Sequence, residues 1–304
     1  MRGALLFAML LVALAPHAPA TSAALPHADP LLPASAFVPL PRAQPACATD
    51  HAFRVLHVVP PATLDPAAAR AELIRAGVEA ATAVVLESSL ARGVEVRLRV
   101  VCDAEGKVAV EHVRVPTQPV AATFTTIVRD LQAQGYARAD EKYWIVYEGV
   151  NLHCGGCAGQ GDARDDDRAT PENANNAGAM YAITYLGNFG VESNVGTLSN
   201  VMLHEATHAM GGVQLSAPHT SGAFHCNDGV DVMCQPEPQG TGTFDAKVCP
   251  RLLVTWFGPE MPYDCGLDDY FDAAPPAGSY LATHWNIGAP ANRFVDWRAL
   301  HQQP

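Results

Sequence analysis

The segment His204-Glu205-Ala206-Thr207-His208 combines residue types and a spacing that suit metal chemistry. On an α-helix, residues four apart project from the same face, so the imidazoles of His204 and His208 could hold one metal ion. Neutral imidazole is a good ligand for Zn²⁺, and a catalytic zinc site takes three protein ligands and keeps one position open. Glu205 follows the first ligand, where its carboxylate can reach a water molecule at the metal. The segment therefore predicts zinc at this point, with Glu205 as a catalytic residue.

The chain around the segment predicts the helix that the motif needs. Thr197 is a suitable N-cap, and apolar residues follow it at helical spacing up to about residue 210. Gly211 and Gly212 come next, and glycine commonly ends a helix. The alternative is a pair of surface histidines on an ordinary helix.

Residues 204–234 resemble the metzincin zinc peptidases, which carry HExxHxxG, a third ligand beyond that glycine and a Met-turn under the metal. Gly211 matches the glycine, and Asp231-Val232-Met233 is the candidate Met-turn. The resemblance is closest to secreted bacterial metzincin-like proteins and extends into the tail, DCGLDDYFDAAPPAGSYLATHW. It implies an α+β fold: a twisted mixed sheet with helices in an upper subdomain and an irregular, disulfide-tied lower one. It also implies a zinc-dependent endopeptidase that cleaves a protein or peptide substrate between the two, with Glu205 as general base.

The third zinc ligand departs from the family pattern. The usual position, three residues after the glycine, is Gln214, which is a poor zinc ligand. His225 is the favoured replacement, because a Cys226–Cys234 disulfide would tie it to the Met-turn. His219 is the alternative, and Asp228 is a further candidate.

A second departure concerns the transition state. Several metzincins carry a tyrosine two residues after the methionine, and this chain has Gln235 there. An amide can also donate a hydrogen bond to a developing oxyanion, so Gln235 is a candidate for that role.

The chain has eight cysteines, an even number that suits disulfides in an oxidising compartment. Spacing alone suggests partners without fixing them, because eight cysteines allow 105 pairings. The expected pairs are Cys226–Cys234, Cys249–Cys265, Cys154–Cys157 and Cys47–Cys102. The alternative is a free Cys47 that acts as an inhibitory zinc ligand.

Hydrophobic periodicity and short apolar or β-branched runs predict the elements that must position these residues. Strands are expected at residues 53–59, 94–101, 108–115, 143–147 and 180–186, and helices at residues 66–93, 124–134 and 197–210. A long loop is expected at 149–178, and no regular pattern is evident after Gly212.

The N-terminus predicts export. Residues 1–23 have the basic start, short apolar centre and small-residue exit of a secretory signal peptide, and residues 24–50 form a Pro/Ala-rich linker or pro-segment. Residues 51–304 are expected to form one domain, with 51–212 as the upper subdomain and 213–304 as the lower. The formal net charge of −12 disfavours nucleic-acid binding, and the apolar run is too short to span a membrane. We therefore expect the protein in the extracellular space or the periplasm. We also expect it to be a monomer.

The sequence leaves two further questions open, the presence of Ca²⁺ and the alternative to an enzyme. Carboxylates and amides are dense in residues 162–176 and at Asp264, Asp268, Asp269 and Asp272, which makes Ca²⁺ a further candidate cofactor beside solvated acidic loops. For function, the alternative to an enzyme is a non-catalytic extracellular binding or surface protein on a metzincin-like scaffold. A gluzincin, with Glu237 or Glu260 as third ligand, is less well supported because neither residue lies in a helical context.

Overall fold

The computed structural model of the chain describes residues 42–63, 65–188, 195–229, 231–234 and 263–300. These residues form an α+β fold with a mixed sheet and helices on both of its faces. The elements in chain order are β1 (Ala46–Cys47), β2 (Ala52–Val59), α1 (Ala67–Leu90), β3 (Val94–Val100), β4 (Val110–Arg114), α2 (Phe124–Ala133), β5 (Glu141–Tyr147), β6 (Gly159–Gly161), β7 (Met180–Tyr185), α3 (Val195–Ala209), α4 (Tyr280–Thr283) and β8 (Val295–Ala299).

The centre of the sheet is parallel. β2 pairs with β5 from Ala52↔Glu141 to Val58↔Tyr147, and β5 pairs with β7 from Lys142↔Met180 to Tyr147↔Tyr185. All residues of β5 and β7 are buried, as expected for parallel strands that are covered on both faces. β4 and β3 both pair with β2 in parallel, β4 along Val55–Val59 and β3 at Phe53.

Antiparallel strands border this parallel centre. The three-residue strand β6 pairs with β7, with Gly159 opposite Thr184 and Gly161 opposite Ala182. β8 pairs with β3 along Val94–Leu98, and β1 pairs with the last residues of β3 in parallel. The sheet is therefore mixed, because β6 and β8 run antiparallel to the strands that they pair with.

Side chains that alternate along the strands separate two apolar clusters. On one face, Phe53 and Val55 of β2 pack with residues of α1 and α3, and on the other Leu56 and Val58 pack with residues of α2. The indole Nε1 of Trp144 on β5 donates a 2.8 Å hydrogen bond to the carbonyl oxygen of Met202. This bond and the apolar contacts fix α3, which carries the HExxH motif, against the middle of the sheet.

The structure differs from the sequence expectations at four places. α3 begins at Val195, so Thr197 lies inside its first turn rather than at the N-cap; Val and Gly at its start are weak helix formers and gave no signal. The long loop contains β6, whose Gly-Gln-Gly sequence has no apolar alternation. Residues 42–50, assigned to a linker, contain β1, and the tail after Gly212 contains α4 and β8.

Three disulfides join described residues, and all three are among the expected pairs: Cys47–Cys102, Cys154–Cys157 and Cys226–Cys234. Cys265 is disulfide-bonded as well, and its expected partner Cys249 lies outside the described residues, as do residues 1–23 and Gln235. Several disulfides are consistent with an extracellular location. Within the described ranges, no helix has the length and apolar character needed to cross a membrane.

Candidate metal centre

The helix α3 presents the motif residues and then ends abruptly. Gly211 has a φ of +88°, a left-handed conformation that glycine adopts without strain. A Cβ atom at this position would lie only 2.8 Å from the indole Nε1 of Trp285, so the chain can turn here only with glycine. Trp285 Nε1 in turn donates to the carbonyl oxygen of Met210, one of the orphaned carbonyls at the helix end.

Three histidine rings meet at one point beside this helix. The Nε2 atom of His225 lies 3.0 Å from Nε2 of His204 and 3.1 Å from Nε2 of His208. Ligand nitrogens around a tetrahedral zinc ion are about 3.3–3.5 Å apart, given Zn–N bonds of about 2.0–2.1 Å. The structure thus brings together His204, His208 and His225, a group that could bind zinc.

A backbone contact fixes the tautomer of His204. Its Nδ1 atom lies 2.6 Å from the carbonyl oxygen of Val232, and because a carbonyl only accepts hydrogen bonds, Nδ1 carries the proton. The lone pair of the ring is therefore on Nε2, which faces the other two histidines. Hydrogen bonds of this kind orient metal-binding histidines and raise their basicity.

The segment Asp231–Cys234, which contains the candidate Met-turn, is built around the carboxylate of Asp231. Its Oδ1 atom accepts from the backbone N–H of Met233 at 2.7 Å, from that of Cys234 at 2.8 Å and from the hydroxyl of Tyr270 at 3.0 Å. Met233 is fully buried in the apolar cluster that also contains residues of α3. Asp231 therefore holds the turn that supports His204, a role that the sequence analysis missed.

His225 is held next to the same turn. The disulfide Cys226–Cys234 links its neighbour to the end of the turn, and the backbone N–H of Cys226 donates to the carbonyl oxygen of Met233 at 3.3 Å. The carbonyl oxygen of His225 accepts from the backbone N–H of Ser221 at 2.7 Å. The disulfide confirms the tether that the sequence predicts beside His225, and the two backbone hydrogen bonds add to it.

Glu205 lies against the edge strand β6. A Cβ atom at Gly159 would lie 2.6 Å from Cγ of Glu205 and 2.7 Å from the carbonyl oxygen of Ile183, and one at Gly161 would lie 2.8 Å from Cβ of His208. No real Cβ atom tolerates such contacts, so both positions need glycine. The two glycines let the strand lie directly against the motif face of α3.

Burial shifts the titration of two motif residues. It raises the pKa of the Glu205 carboxyl well above its usual value. It lowers the pKa of His208 well below the usual value for histidine, and the neighbouring His204 and His225 lower it further. His208 is therefore a neutral imidazole at neutral pH, the form that binds a metal.

Gln214, at the usual position of the third ligand, has a different task. It is buried, its Oε1 atom accepts from the backbone N–H of Asp166 at 2.7 Å, and its Nε2 atom donates to the carbonyl oxygens of Arg164 and Gly211 at 3.1 and 2.6 Å. The amide thus joins the end of α3 to the loop over residues 162–176.

The other two candidates for third ligand lie elsewhere. His219 and Asp228 belong to a different group of potential metal ligands, together with Asp268 and Asp269. Asp272 pairs with Arg92 at 2.9 Å, and Asp166, within the acidic loop, pairs with Arg168.

The residues of the histidine triad fit a zinc ion on two observations of the structure. Nε2 of His225 lies close to tetrahedral ligand distance from Nε2 of His204 and of His208, and the tautomer of His204 directs its lone pair towards the other two rings. Three imidazoles are one of the ligand sets that zinc has in catalytic sites.

Comparison with known proteins adds little to this geometry. The chain matches no protein-family model and no curated protein. Among solved structures it is similar to the crystal structure of metalloproteinase-II from Bacteroides fragilis, at 13% sequence identity and a TM-score of 0.30. The alignment covers 67% of this chain and 53% of that one, so the chain spans about half of the length of the structure it matches. A TM-score this low carries no argument about function, which has to be argued from the site itself.

Proposed function

We propose that this chain is a secreted zinc-dependent endopeptidase of the metzincin type, in which His204, His208 and His225 hold the metal and Glu205 is the general base. The observation that carries the proposal is the meeting of three histidine Nε2 atoms next to a buried glutamate. Zinc in such a site lowers the pKa of a water molecule and polarises the carbonyl group of a substrate.

Glu205 has the properties of a proton carrier. A general base works best when its pKa lies near the working pH, and burial moves the pKa of this carboxyl in that direction. The side chain accepts the proton that the attacking water loses and delivers it to the nitrogen of the departing amine. Contact with β6 keeps the carboxyl group in place, because the strand approaches the Cγ atom of Glu205 closely at Gly159.

The remaining histidine contacts keep the ligands ready to bind. His204 is oriented by Val232, and His225 by the disulfide beside it, so the three rings need little rearrangement when the metal arrives. A site arranged in advance loses less conformational entropy on binding than one assembled from mobile loops.

The proposal is tested by casein cleavage and zinc content of the purified chain and two variants. Glu205→Gln should keep zinc and lose about 10²–10⁴-fold in rate, because it removes the base and leaves the ligands. His208→Ala should lose both zinc and activity. An exposed histidine outside the triad, His153, supplies the matched control, and His153→Ala should keep both.

Two results would contradict the proposal. Cleavage by zinc-loaded Glu205→Gln at the parental rate would show that Glu205 is not the base. A zinc-loaded parent that cleaves no peptide would leave the non-catalytic binding protein as the better account of the site.

A further inference from the structure

A second group of metal-ligating side chains lies outside the histidine triad. It consists of His219, Asp228, Asp268 and Asp269, and we call it the aspartate cluster. The Nδ1 atom of His219 lies 3.2 Å from Oδ2 of Asp269, 3.4 Å from Oδ2 of Asp228 and 3.6 Å from Oδ2 of Asp268. These distances bracket the roughly 3.3–3.5 Å between ligand atoms around a small tetrahedral cation.

The backbone of residues 264–271 is arranged to present two of these carboxylates. The Oδ2 atom of Asp264 accepts from the backbone N–H groups of Tyr270 and Phe271 at 2.7 and 2.6 Å, and its Oδ1 atom accepts from that of Asp268 at 3.2 Å. The chain therefore wraps around Asp264. Asp269 in turn accepts a 2.9 Å bond from the backbone N–H of His219 with its Oδ1 atom, which leaves Oδ2 facing the imidazole.

The burial of Asp228 distinguishes this cluster from an ordinary acidic surface. The residue is 2% exposed, and within the described part of the chain its Oδ2 atom has no hydrogen-bond partner. Nδ1 of His219 faces this oxygen without hydrogen-bonding geometry. A buried carboxylate oxygen that accepts no hydrogen bond is unfavourable for folding. This oxygen lies inside the cluster of potential metal ligands, where a bound cation would satisfy it.

The residues around Asp228 leave space for a cation. A Cβ atom at Gly266 would lie 2.9 Å from Oδ2 of Asp228, so glycine keeps the space beside the carboxylate open. Burial raises the pKa values of Asp228 and Asp269, and their mutual contact raises that of Asp228 further. A bound cation would offset this repulsion between the two carboxyl groups.

We propose that His219, Asp228, Asp268 and Asp269 bind a second divalent cation of the Zn²⁺ or Mn²⁺ class, separate from the histidine triad. One imidazole with three carboxylates suits these ions, whereas Ca²⁺ takes six to eight oxygen ligands. Asp228 lies between His225 and the Asp231 turn in sequence, so the cation joins the segment that carries the third histidine to residues 264–271. Its role is structural: it holds this segment in place.

The metal content of the full-length chain tests this proposal directly. After loading with Zn²⁺ or Mn²⁺ and dialysis, the parent should retain about two ions per chain, and His219→Gln and Asp268→Asn should each retain about one. Both side chains are about 40% exposed, 41% for His219 and 40% for Asp268, so these variants are expected to fold. Asp50→Asn removes an exposed carboxylate elsewhere, 63% exposed, and should retain two.

A combination with His208→Ala keeps this test independent of the proposed peptidase. His208→Ala should lose the ion of the triad and retain the one in the aspartate cluster, and the double variant His208→Ala/His219→Gln should lose both. A parent that retains no ion beyond the one removed by His208→Ala would overturn the second site, as would an unchanged metal content in His219→Gln and Asp268→Asn. Retention of the second ion only after loading with Ca²⁺ would overturn the class of cation.

Thermal unfolding provides a second readout. Addition of Mn²⁺ to the metal-free His208→Ala variant should raise its melting temperature, because an ion that binds only the folded state stabilises it. The same addition to His208→Ala/His219→Gln should raise it much less. An equal rise of the melting temperature in the two variants would show that the aspartate cluster does not bind the ion.

Discussion

His204 and Val232 are joined by a 2.6 Å hydrogen bond from the imidazole Nδ1 to the backbone carbonyl oxygen, although 28 residues separate them. This bond connects the helix that carries two of the three histidines to the turn that follows the third. The position of the turn therefore decides the orientation of His204, and any change that loosens the turn should be felt at the triad.

The disulfide beside the triad offers the first prediction. Cys226→Ser/Cys234→Ser should lower the zinc affinity and cost about 2–3 kcal/mol in the free energy of unfolding, because a short closed segment is released. The control is Cys47→Ser/Cys102→Ser, which opens a loop with a sequence separation of 55 residues and should cost more, about 4 kcal/mol. Zinc affinity measured by competition with a chelator should fall only in the first variant, and an equal fall in both would contradict the local role of Cys226–Cys234.

The glycines of β6 offer the second prediction. Gly159→Ala should destabilise the protein by about 1–3 kcal/mol and reduce cleavage, because the new methyl group displaces Glu205 or the strand. Gly77→Ala on α1 is the matched control. The atoms nearest to its new methyl group would be side-chain atoms of Met202 and Leu198, at 3.1–3.4 Å, and alanine favours a helix. Gly77→Ala should therefore change stability and cleavage less than Gly159→Ala does. Urea unfolding and casein cleavage check both variants. Parental cleavage by Gly159→Ala would mean that β6 does not confine Glu205.

Gln214 offers the third prediction. Gln214→Leu removes three hydrogen bonds from a buried site and leaves backbone groups of Asp166, Arg164 and Gly211 without this partner. We expect a loss of about 2–4 kcal/mol in the free energy of unfolding. Leu215→Ala, at a neighbouring residue that is 39% exposed, should change it much less. Gln214→His should lose stability in the same way without increasing the number of zinc ions bound, and an extra bound ion would contradict this account.

The fourth prediction concerns pH. The guanidinium of Arg168, together with the backbone N–H groups of Ala174 and Arg168, holds the pKa of Asp166 far below its usual value. Because the folded-state pKa is the lower one, the carboxylate stabilises the fold above the unfolded-state value of 3.8, and this contribution is lost as the pH falls towards the folded-state pKa. Asp166→Asn should therefore be less stable than the parent by about 1–3 kcal/mol at pH 7, with the gap narrowing below about pH 4. A gap that is the same at pH 3 and pH 7, measured by urea unfolding, would show that charge plays no part.

The sequence predicts the parts of this molecule that depend on local pattern. The strand β3 and the helix α1 have clear periodicity, and the strands β2, β5 and β7 are short apolar runs. The HExxH spacing leads to His204, Glu205 and His208. The choice of His225 depended on its neighbouring cysteine, and the structure brings that ring to the other two. Whether the three are zinc ligands stays a proposal that metal analysis has to test.

What could not be predicted depends on contacts between distant segments. β6 has no sequence pattern of its own and forms only because β7 offers an edge and its glycines fit against α3. The aspartate cluster draws one histidine and one carboxylate from residues 219–228 and two carboxylates from residues 268–269, and nothing in their spacing shows that they meet. Similarly, the sequence shows Gln214 only as a poor zinc ligand at the usual ligand position, because its three backbone hydrogen-bond partners are known only from the structure.

The pairing of β8 with β3 has a consequence for how the molecule reaches its native state. β8 is the last described strand and lies far downstream of β3 in the chain, yet the two share a register from Val94↔Ala299 to Leu98↔Val295. Contacts between such distant segments slow folding, since a long loop must close before they form. A nascent chain on the ribosome lacks this strand, so the edge of β3 that β8 pairs with has no partner strand at that stage. The complete sheet therefore forms only after residues 295–299 have been synthesised and released.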